Sequence, residues 1–204
     1  MNRIVLATNN VHKISEISHM MAGLPIMILT KKDFADFPDV EETGRTLEDN
    51  AVLKAKVIYE YCGIPSLADD SGLEVTALGG IPGVNSARYA GPGCTFDDNN
   101  RKLLEAMEGI PDENRQAVFR CVVAVEFGEN DIEIVQGRVE GRITTETRGD
   151  SGFGYDPVFY FPPYDKTFAE IPPEEKNKIS HRAIALARAR ELLISRFELK
   201  DIAR

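Results

Sequence analysis

A long apolar run at residues 116–127 (QAVFRCVVAVEF) places a strong constraint on the fold of this chain. Its β-branched and aromatic content predicts a strand, and residues 131–139 predict a hairpin partner across the polar turn at 128–131. Strands joined by a short hairpin pair antiparallel. The sheet that contains them is therefore expected to include antiparallel pairing.

Helical patterns alternate with shorter apolar runs elsewhere. Residues 3–8 predict a buried first strand, and the spacing of apolar residues at 11–21 predicts a helix after it. Thr46 is expected to cap a second helix ending near 61, and further helices are predicted at 96–107 and about 180–197. Short strands are predicted at 66–68 and 158–161. This alternation predicts an α/β fold with a mixed sheet flanked by helices.

Length and composition narrow the class of protein. The 204 residues fit one large or two small domains. No apolar run approaches the roughly 20 residues that span a bilayer, and the N-terminus lacks the features of a signal peptide, so a cytoplasmic location is expected. The sparse cysteines, Cys62, Cys94 and Cys121, indicate reduced thiols. A net charge of −9 argues against a general nucleic-acid binder but leaves a small anionic ligand open.

Two adjacent aspartates, Asp69 and Asp70, follow the apolar residues 66–68 and precede Ser71-Gly72. Carboxylates at the end of a buried strand suit Mg²⁺, which one or two carboxylates plus substrate phosphates usually hold. All four residues also favour turns, so a simple turn explains the segment equally well.

The segment from Thr8 to Lys13 joins the first predicted strand to the first helix. A helix N-terminus can bind phosphate through backbone N–H groups, and Lys13 adds a positive charge one turn into the helix. The alternative is an ordinary helix with a solvated lysine, for which Asn9 and Asn10 are both good cap residues. Neither a P-loop nor a GxGxxG pattern follows the first strand.

An acidic pair and a lysine are further candidate functional residues. Glu41 and Glu42 belong either to a solvated loop or to the metal site of Asp69 and Asp70. Lys54 lies on an alanine-rich helix, where a lysine is normally exposed, and it shares a helix face with Asn50.

Two later segments have the chemistry to bind a nucleobase. Glycines flank Phe153 within residues 151–157, so backbone can approach a ligand closely and the ring can stack on a base. Asp156 can accept hydrogen bonds from a base edge. His181 and Arg182 are expected in the first turn of the last helix, where cations are disfavoured unless an anionic or base-bearing ligand is near. The alternative for the first segment is a glycine-rich turn with Phe153 and Tyr155 in the core. The alternative for the second segment is a basic surface turn.

Together these segments resemble the inosine triphosphate pyrophosphatase family, the non-canonical purine (dITP/XTP) pyrophosphatases. The resemblance rests on ATNNVHK, EETGRTLEDNAVLKA, ADDSGLEVTALGGIPGVNSARYAG, GFGYDPVF, KTFAEI and EEKNKISHR, in the same order over nearly the whole chain. It implies one two-lobed α/β domain over residues 1–204, with a long twisted mixed sheet and a nucleotide cleft between the lobes, usually in a homodimer. It also implies Mg²⁺-dependent hydrolysis of ITP, dITP and XTP to the monophosphate and pyrophosphate.

The resemblance also implies roles for individual residues. Asp70 would be the general base that activates water, with Lys13 and Lys54 as further catalytic groups. Glu41, Asp69 and Asp70 would hold the metal, with Glu42 as an alternative to Glu41. The expected substrate-binding residues are Thr8, Asn9, Asn10, Val11, His12, Lys13, Ser71, Phe153, Gly154, Tyr155, Asp156, Lys176, His181 and Arg182.

Two other functions stay open at this point. One is a pyrophosphatase for another modified nucleotide, such as a pyrimidine, and the other is a catalytically silent nucleotide-binding dimer of the same fold. The carboxylates and lysines argue against a silent protein, since a protein that only binds has no need of Asp70. A membrane or nucleic-acid partner is not expected.

Overall fold

The computed structural model describes residues 2–199 and contains an eight-stranded mixed sheet with five α-helices. The strands are β1 (Asn2–Leu6), β2 (Ile26–Leu29), β3 (Ser66–Val75), β4 (Pro82–Gly83), β5 (Gln116–Gly128), β6 (Asp131–Ile143), β7 (Phe159–Phe161) and β8 (Lys166–Thr167). The helices are α1 (Val11–Met20), α2 (Leu47–Cys62), α3 (Phe96–Ala106), α4 (Pro173–Ile179) and α5 (His181–Arg196).

The strand order is β2-β1-β3-β5-β6-β7-β8, and β4 pairs with β3. β1 pairs parallel with β2 and β3, whereas β3–β4, β6–β7 and β7–β8 pair antiparallel. The predicted α/β class with a mixed sheet is confirmed. Among residues 2–199, none of the helices has both the length and the apolar character needed to cross a membrane.

Residue contacts divide the described chain into two compact units. Unit 1 comprises residues 2–70, 121–137 and 183–199, and unit 2 comprises Ser71–Arg120 and Arg138–Arg182. The strands β3, β5 and β6 each contribute residues to both units. The prediction of one two-lobed domain over 1–204 stays a prediction, and residues 1 and 200–204 lie outside the described part.

Each unit has its own apolar core. In unit 1, α1 and α5 pack through Ile17 and Leu193 on a sheet face that carries Leu6, Leu67 and Val123. In unit 2, Phe159 lies 4.5 Å from Phe119 and 4.9 Å from Phe168, measured between ring centroids. Full burial of one such side chain contributes about 1.5–3 kcal/mol, so these clusters fix the strands that carry the polar residues.

Caps define the helices that the sequence predicted well. Asn10 caps α1 by accepting hydrogen bonds from two backbone N–H groups, and Thr46 and Asp49 form a capping box at α2. The predicted hairpin is confirmed as β5 and β6. The short helix α4 was missed, because its seven residues begin with Pro173, directly after Pro172, and carry no clear apolar period.

Candidate active site

Strand β3 runs through Asp69 and Asp70 without a break, since Ser71 and Gly72 also belong to the strand. The turn that these residues favour by composition is therefore absent from this segment, and the prediction of a strand ending at 68 is wrong. Both aspartates are nearly inaccessible, with exposed fractions of 1% and 6%. Successive strand residues face opposite sides of a sheet, so the two carboxylates have different surroundings.

Asp69 lies beside the first turn of α1. Residues 66 and 67 of β3 pair with the last residues of β1. Asp69, two residues farther along β3, therefore lies just beyond the carboxyl end of β1. Lys13 follows β1 in the chain and places its Nζ 2.8 Å from Asp69 Oδ2. Ligands of open α/β sheets bind beyond the carboxyl ends of parallel strands, and this salt bridge lies there.

The N-terminus of α1 is already capped by its own chain. Asn10 Oδ1 accepts hydrogen bonds from the N–H groups of His12 and Lys13, at 3.0 and 3.3 Å. Thr8 Oγ1 accepts one from the N–H of Asn10 at 3.2 Å. Asn9, Val11 and His12 are exposed. Phosphate binding by this segment stays a prediction, and it would have to replace the Asn10 cap where it uses these N–H groups.

Asp70 lies beside α2, where Asn50 and Lys54 share one helix face as predicted. Lys54 Nζ is 3.3 Å from Asp70 Oδ1 and 2.8 Å from the backbone oxygen of Asp69. Asn50 Nδ2 donates to Asp70 Oδ2 at 3.2 Å. The expectation that a lysine on this helix is exposed is wrong, because the exposed fraction of Lys54 is only 8%. The oxygen atoms of Asp69 and Asp70 take the place of water around its ammonium group.

Burial and charge act in opposite directions on the pKa values of this pair. Burial lowers the pKa of Lys54, but the charges of Asp70, Glu42 and Asp69 outweigh it and hold this pKa above its ordinary value. Burial raises the pKa of Asp70 above its ordinary value, although the charge of Lys54 opposes the shift. A carboxylate with a raised pKa is a stronger base than an exposed aspartate.

Asn50 connects Asp70 to the loop that carries Glu41, Glu42 and Gly44, a role that the sequence did not reveal. Its Oδ1 accepts a hydrogen bond from the N–H of Gly44 at 2.7 Å, while its Nδ2 donates to Asp70. A Cβ added at Gly44 would lie 2.5 Å from that Oδ1, so only glycine allows this approach. The i, i+4 spacing with Lys54 was the available signal for this role.

Glu42, rather than Glu41, belongs to this cluster. Glu42 Oε1 lies 2.8 Å from Lys54 Nζ, whereas Glu41 is exposed. Residues Lys13, Glu42, Asn50, Lys54, Asp69 and Asp70 are called the carboxylate–lysine cluster below.

The residues present suit a divalent cation whose coordination shell is completed by oxygen atoms of the substrate. Across residues 2–199, no three His, Cys, Asp or Glu side chains form a preassembled metal cage. Mg²⁺ does not need one, since one or two carboxylates and phosphate oxygens suffice. Glu42 and Asp70 share contact with Lys54 and provide two such carboxylates.

The second group of predicted residues lies in unit 2. Asp156 is buried, and its Oδ2 accepts hydrogen bonds from Lys176 Nζ and, at 2.8 Å, from the N–H of Phe153. Burial raises the pKa of Asp156 above its ordinary value, while Lys176 opposes this. A Cβ added at Gly152 would lie 2.1 Å from Asp156 Oδ2. Asp156 thus positions Lys176 and the backbone of Phe153, and its contact with a base edge stays a prediction.

Cations surround the Phe153 ring. Lys176 Nζ and Arg182 Cζ lie 5.0 and 5.3 Å from its centroid. His181 and Arg182 are the first two residues of α5, as predicted, and the His181 ring stacks on Phe119 at 4.5 Å. Residues Phe153, Asp156, Lys176, His181 and Arg182 are called the aromatic–cation cluster below.

The neighbours of Phe153 support the loop. Tyr155 is buried, and its hydroxyl donates to the backbone oxygen of Ser86 at 2.9 Å. The backbone oxygen of Gly154 accepts a hydrogen bond from Asn100 Nδ2 at 2.9 Å. These contacts fix the loop around Phe153, which is a structural role for Tyr155.

Chain continuity links the two clusters. Asp70 is the last residue of its segment in unit 1, and Ser71, the next residue of β3, begins unit 2. Ser71 Oγ accepts a hydrogen bond from Arg182 at 3.2 Å.

A cavity of about 370 Å³ in unit 2 contains none of the predicted site residues. Its lining groups are used within the protein: the Arg115 guanidinium donates to four backbone oxygens, Arg148 pairs with Glu146, and Tyr160 donates to Asp165. The cavity is lined by Asp112, Arg115, Arg142, Ile143, Thr144, Thr145, Arg148, Tyr160 and Asp165.

Ligands of open α/β sheets bind beyond the carboxyl ends of parallel strands, and lysines stabilise the charge of a transferred phosphoryl group. The position of Lys13 and Lys54 therefore suits an α/β enzyme that acts on a phosphorylated substrate. Comparison with known proteins gives a narrower answer. The chain belongs to the Ham1 family, whose model matches residues 4–192.

Relatives and solved structures agree with this assignment. A dITP/XTP pyrophosphatase of Thermoanaerobacter pseudethanolicus is 46% identical over 97% of this chain and 100% of its own length. One from Geobacter sulfurreducens is 48% identical over 92% of this chain and 94% of its own. The structure of a HAM1 protein from Coxiella burnetii matches with a TM-score of 0.91 and 45% identity, over 96% of this chain and 100% of that chain. The predicted family and enzyme class, a pyrophosphatase, are confirmed.

Proposed function

We propose that this enzyme hydrolyses non-canonical purine nucleoside triphosphates, namely ITP, dITP and XTP, to the monophosphate and pyrophosphate with Mg²⁺. The contact of Lys54 with both Asp70 and Glu42 carries the proposal, because it combines a buried base, a cation and a second carboxylate. The relatives reported above are named dITP/XTP pyrophosphatases, which supports this substrate class.

The phosphate chemistry is assigned to the carboxylate–lysine cluster. Water attacks the α-phosphorus, Asp70 accepts the proton of that water, and the bond from the α-phosphorus to the bridging oxygen breaks. Pyrophosphate leaves with that oxygen, and Lys13 and Lys54 stabilise the charge that develops on it. Glu42 and Asp70 would hold the metal ion, which when bound neutralises phosphate oxygens and orients the phosphate chain.

Base recognition is assigned to the aromatic–cation cluster. The Phe153 ring supplies a stacking surface, and Lys176 and Arg182 supply donors near it. His181, the neighbour of Arg182 in α5, is a further candidate donor. Hypoxanthine and xanthine have an acceptor at the 6-position, whereas adenine has an amino donor there. A site that offers donors at this position rejects ATP, because those donors would stay unpaired.

One assay tests this proposal against the two alternatives. Purified protein with Mg²⁺ is given a panel of purine and pyrimidine triphosphates, and pyrophosphate release is measured. Turnover of XTP, ITP and dITP well above ATP and GTP supports the proposal. Preference for a modified pyrimidine, or turnover of none, would contradict it. The homodimer and the cytoplasmic location stay predictions, and sedimentation equilibrium would test the former.

A further inference from the structure

Phe96 is a large exposed aromatic residue at the first position of α3. Its exposed fraction is 48%. A capping box holds the start of this helix. Thr95 Oγ1 accepts from the N–H of Asp98 at 3.1 Å, and Asp98 Oδ2 accepts from the N–H of Thr95 at 2.9 Å. Single exposed apolar residues are common, so exposure alone assigns no role to Phe96.

The position of Phe96 beside the aromatic–cation cluster is the second observation. Its ring centroid lies 6.2 Å from that of Phe153, with 43° between the ring planes. Two cations, Lys176 and Arg182, lie over the Phe153 ring. Phe96 therefore adds an exposed apolar surface next to the ring that is proposed to stack on the base.

The same helix face also contacts the Phe153 loop through Asn100. Residues 96 and 100 are one turn apart, so they share a helix face. Asn100 is buried and donates to the backbone oxygen of Gly154 at 2.9 Å. This bond holds the backbone of α3 next to the loop that carries Phe153.

We propose that Phe96 is a specificity-determining residue that forms a second aromatic contact for the purine base. This inference rests on the proposed function and adds a residue to its base site. A bicyclic purine extends farther than a pyrimidine, so a contact beside Phe153 stabilises binding of a purine more than binding of a pyrimidine. The contact is apolar and does not touch the phosphates, and Phe96 should therefore affect binding of the base more than the chemical step.

Kinetics of Phe96→Ala test the first part of this inference. We expect KM for XTP to rise about 5- to 50-fold, as expected for loss of an aromatic contact to a base, with kcat within about twofold. KM for a pyrimidine triphosphate and for inorganic tripolyphosphate, which has no base, should stay nearly unchanged. Tyr164→Ala is the matched control, because Tyr164 is a similarly exposed aromatic residue of unit 2, at 40%.

A fluorescence measurement gives an independent readout. The chain has no tryptophan, so Phe96→Trp introduces a single indole. Titration with xanthosine monophosphate should quench or shift its emission, whereas Tyr164→Trp should not respond.

The outcomes separate this inference from the proposed function. If the wild type turns over XTP but Phe96→Ala keeps its KM, the role of Phe96 is overturned alone. An unresponsive Phe96→Trp protein that still binds the monophosphate by calorimetry has the same meaning. A wild type that turns over no nucleotide would overturn both.

Discussion

Lys54 Nζ lies 3.3 Å from Asp70 Oδ1 in unit 1, and both side chains are buried. A buried charge is costly unless it is paired, so each of the two groups stabilises the ionised form of the other. Since Glu42 also contacts Lys54, the ammonium group has two negative partners. This arrangement keeps Lys54 charged, which its proposed role toward the phosphates requires.

Replacing Asp70 by asparagine should abolish most turnover without unfolding the protein. The amide keeps the shape of the side chain but cannot accept the proton of the attacking water. We expect kcat to fall by about 10²- to 10⁴-fold, the usual contribution of a general base. Pyrophosphate release measures this effect, and circular dichroism checks the fold.

Asp69→Asn is the matched control for this substitution. Asp69 pairs with Lys13 on the opposite side of β3, so its loss should weaken phosphate binding more than the chemical step. A larger kcat loss in Asp69→Asn than in Asp70→Asn would exchange the roles of the two aspartates.

Asn50→Asp should slow the reaction although the two side chains have the same shape. The new carboxylate loses the donor to Asp70 and places a like charge beside it. This shifts the pKa of Asp70 further upward, so a smaller fraction of Asp70 is ionised and able to accept the proton of water. We expect kcat to fall at least about tenfold, given the usual contribution of a general base. Asn114→Asp, the same change at an exposed position, should have little effect. Equal kinetics for the two variants would remove Asn50 from the site.

Local signals predicted the helices better than the site. The α2 helix was predictable because Thr46 and Asp49 form a capping box, which lies within four residues of sequence. The burial of Lys54 was not, because its partners Glu42 and Asp70 are 12 and 16 residues away. Turn propensity at 69–72 failed for a related reason, since pairing and burial of β3 outweigh it. The choice of Glu42 over Glu41 also needed the tertiary contact with Lys54.

Two glycines in the Phe153 loop offer a matched pair of substitutions. Both Gly152 and Gly154 have positive φ angles, +81° and +65°, so alanine is strained at either position. A Cβ at Gly152 would lie 2.1 Å from Asp156 Oδ2, whereas one at Gly154 meets nothing within 4 Å.

Gly154→Ala should therefore cost only the backbone strain, about 1–2 kcal/mol. Gly152→Ala should cost clearly more and raise KM for XTP, because Asp156 must move and Lys176 moves with it. Denaturant unfolding and steady-state kinetics measure the two effects. Similar unfolding free energies for both variants would show that the Asp156 contact is unimportant.

The Asp156–Lys176 pair should be important for stability. Asp156→Ala leaves the buried ammonium group of Lys176 without this carboxylate, which typically costs about 3–5 kcal/mol. Chemical denaturation gives the change in unfolding free energy. Glu175→Ala breaks the exposed pair with Lys178 on the same helix and should have little effect. If both variants unfold alike, the buried pair does not hold α4 in place.

Adjacent glutamates allow the metal ligand to be identified. Glu42 contacts Lys54 within the carboxylate–lysine cluster, whereas Glu41 is exposed. We expect Glu42→Gln to raise the Mg²⁺ concentration for half-maximal activity at least about tenfold, the effect of losing about 1.4 kcal/mol of binding free energy. Glu41→Gln should leave that concentration nearly unchanged. A Mg²⁺ titration of thermal stability, which needs no turnover, should show the same order, because a ligand that binds only the folded state raises Tm. If Glu41→Gln is the more impaired variant in both measurements, the metal ligand is Glu41 and the loop must rearrange when substrate binds.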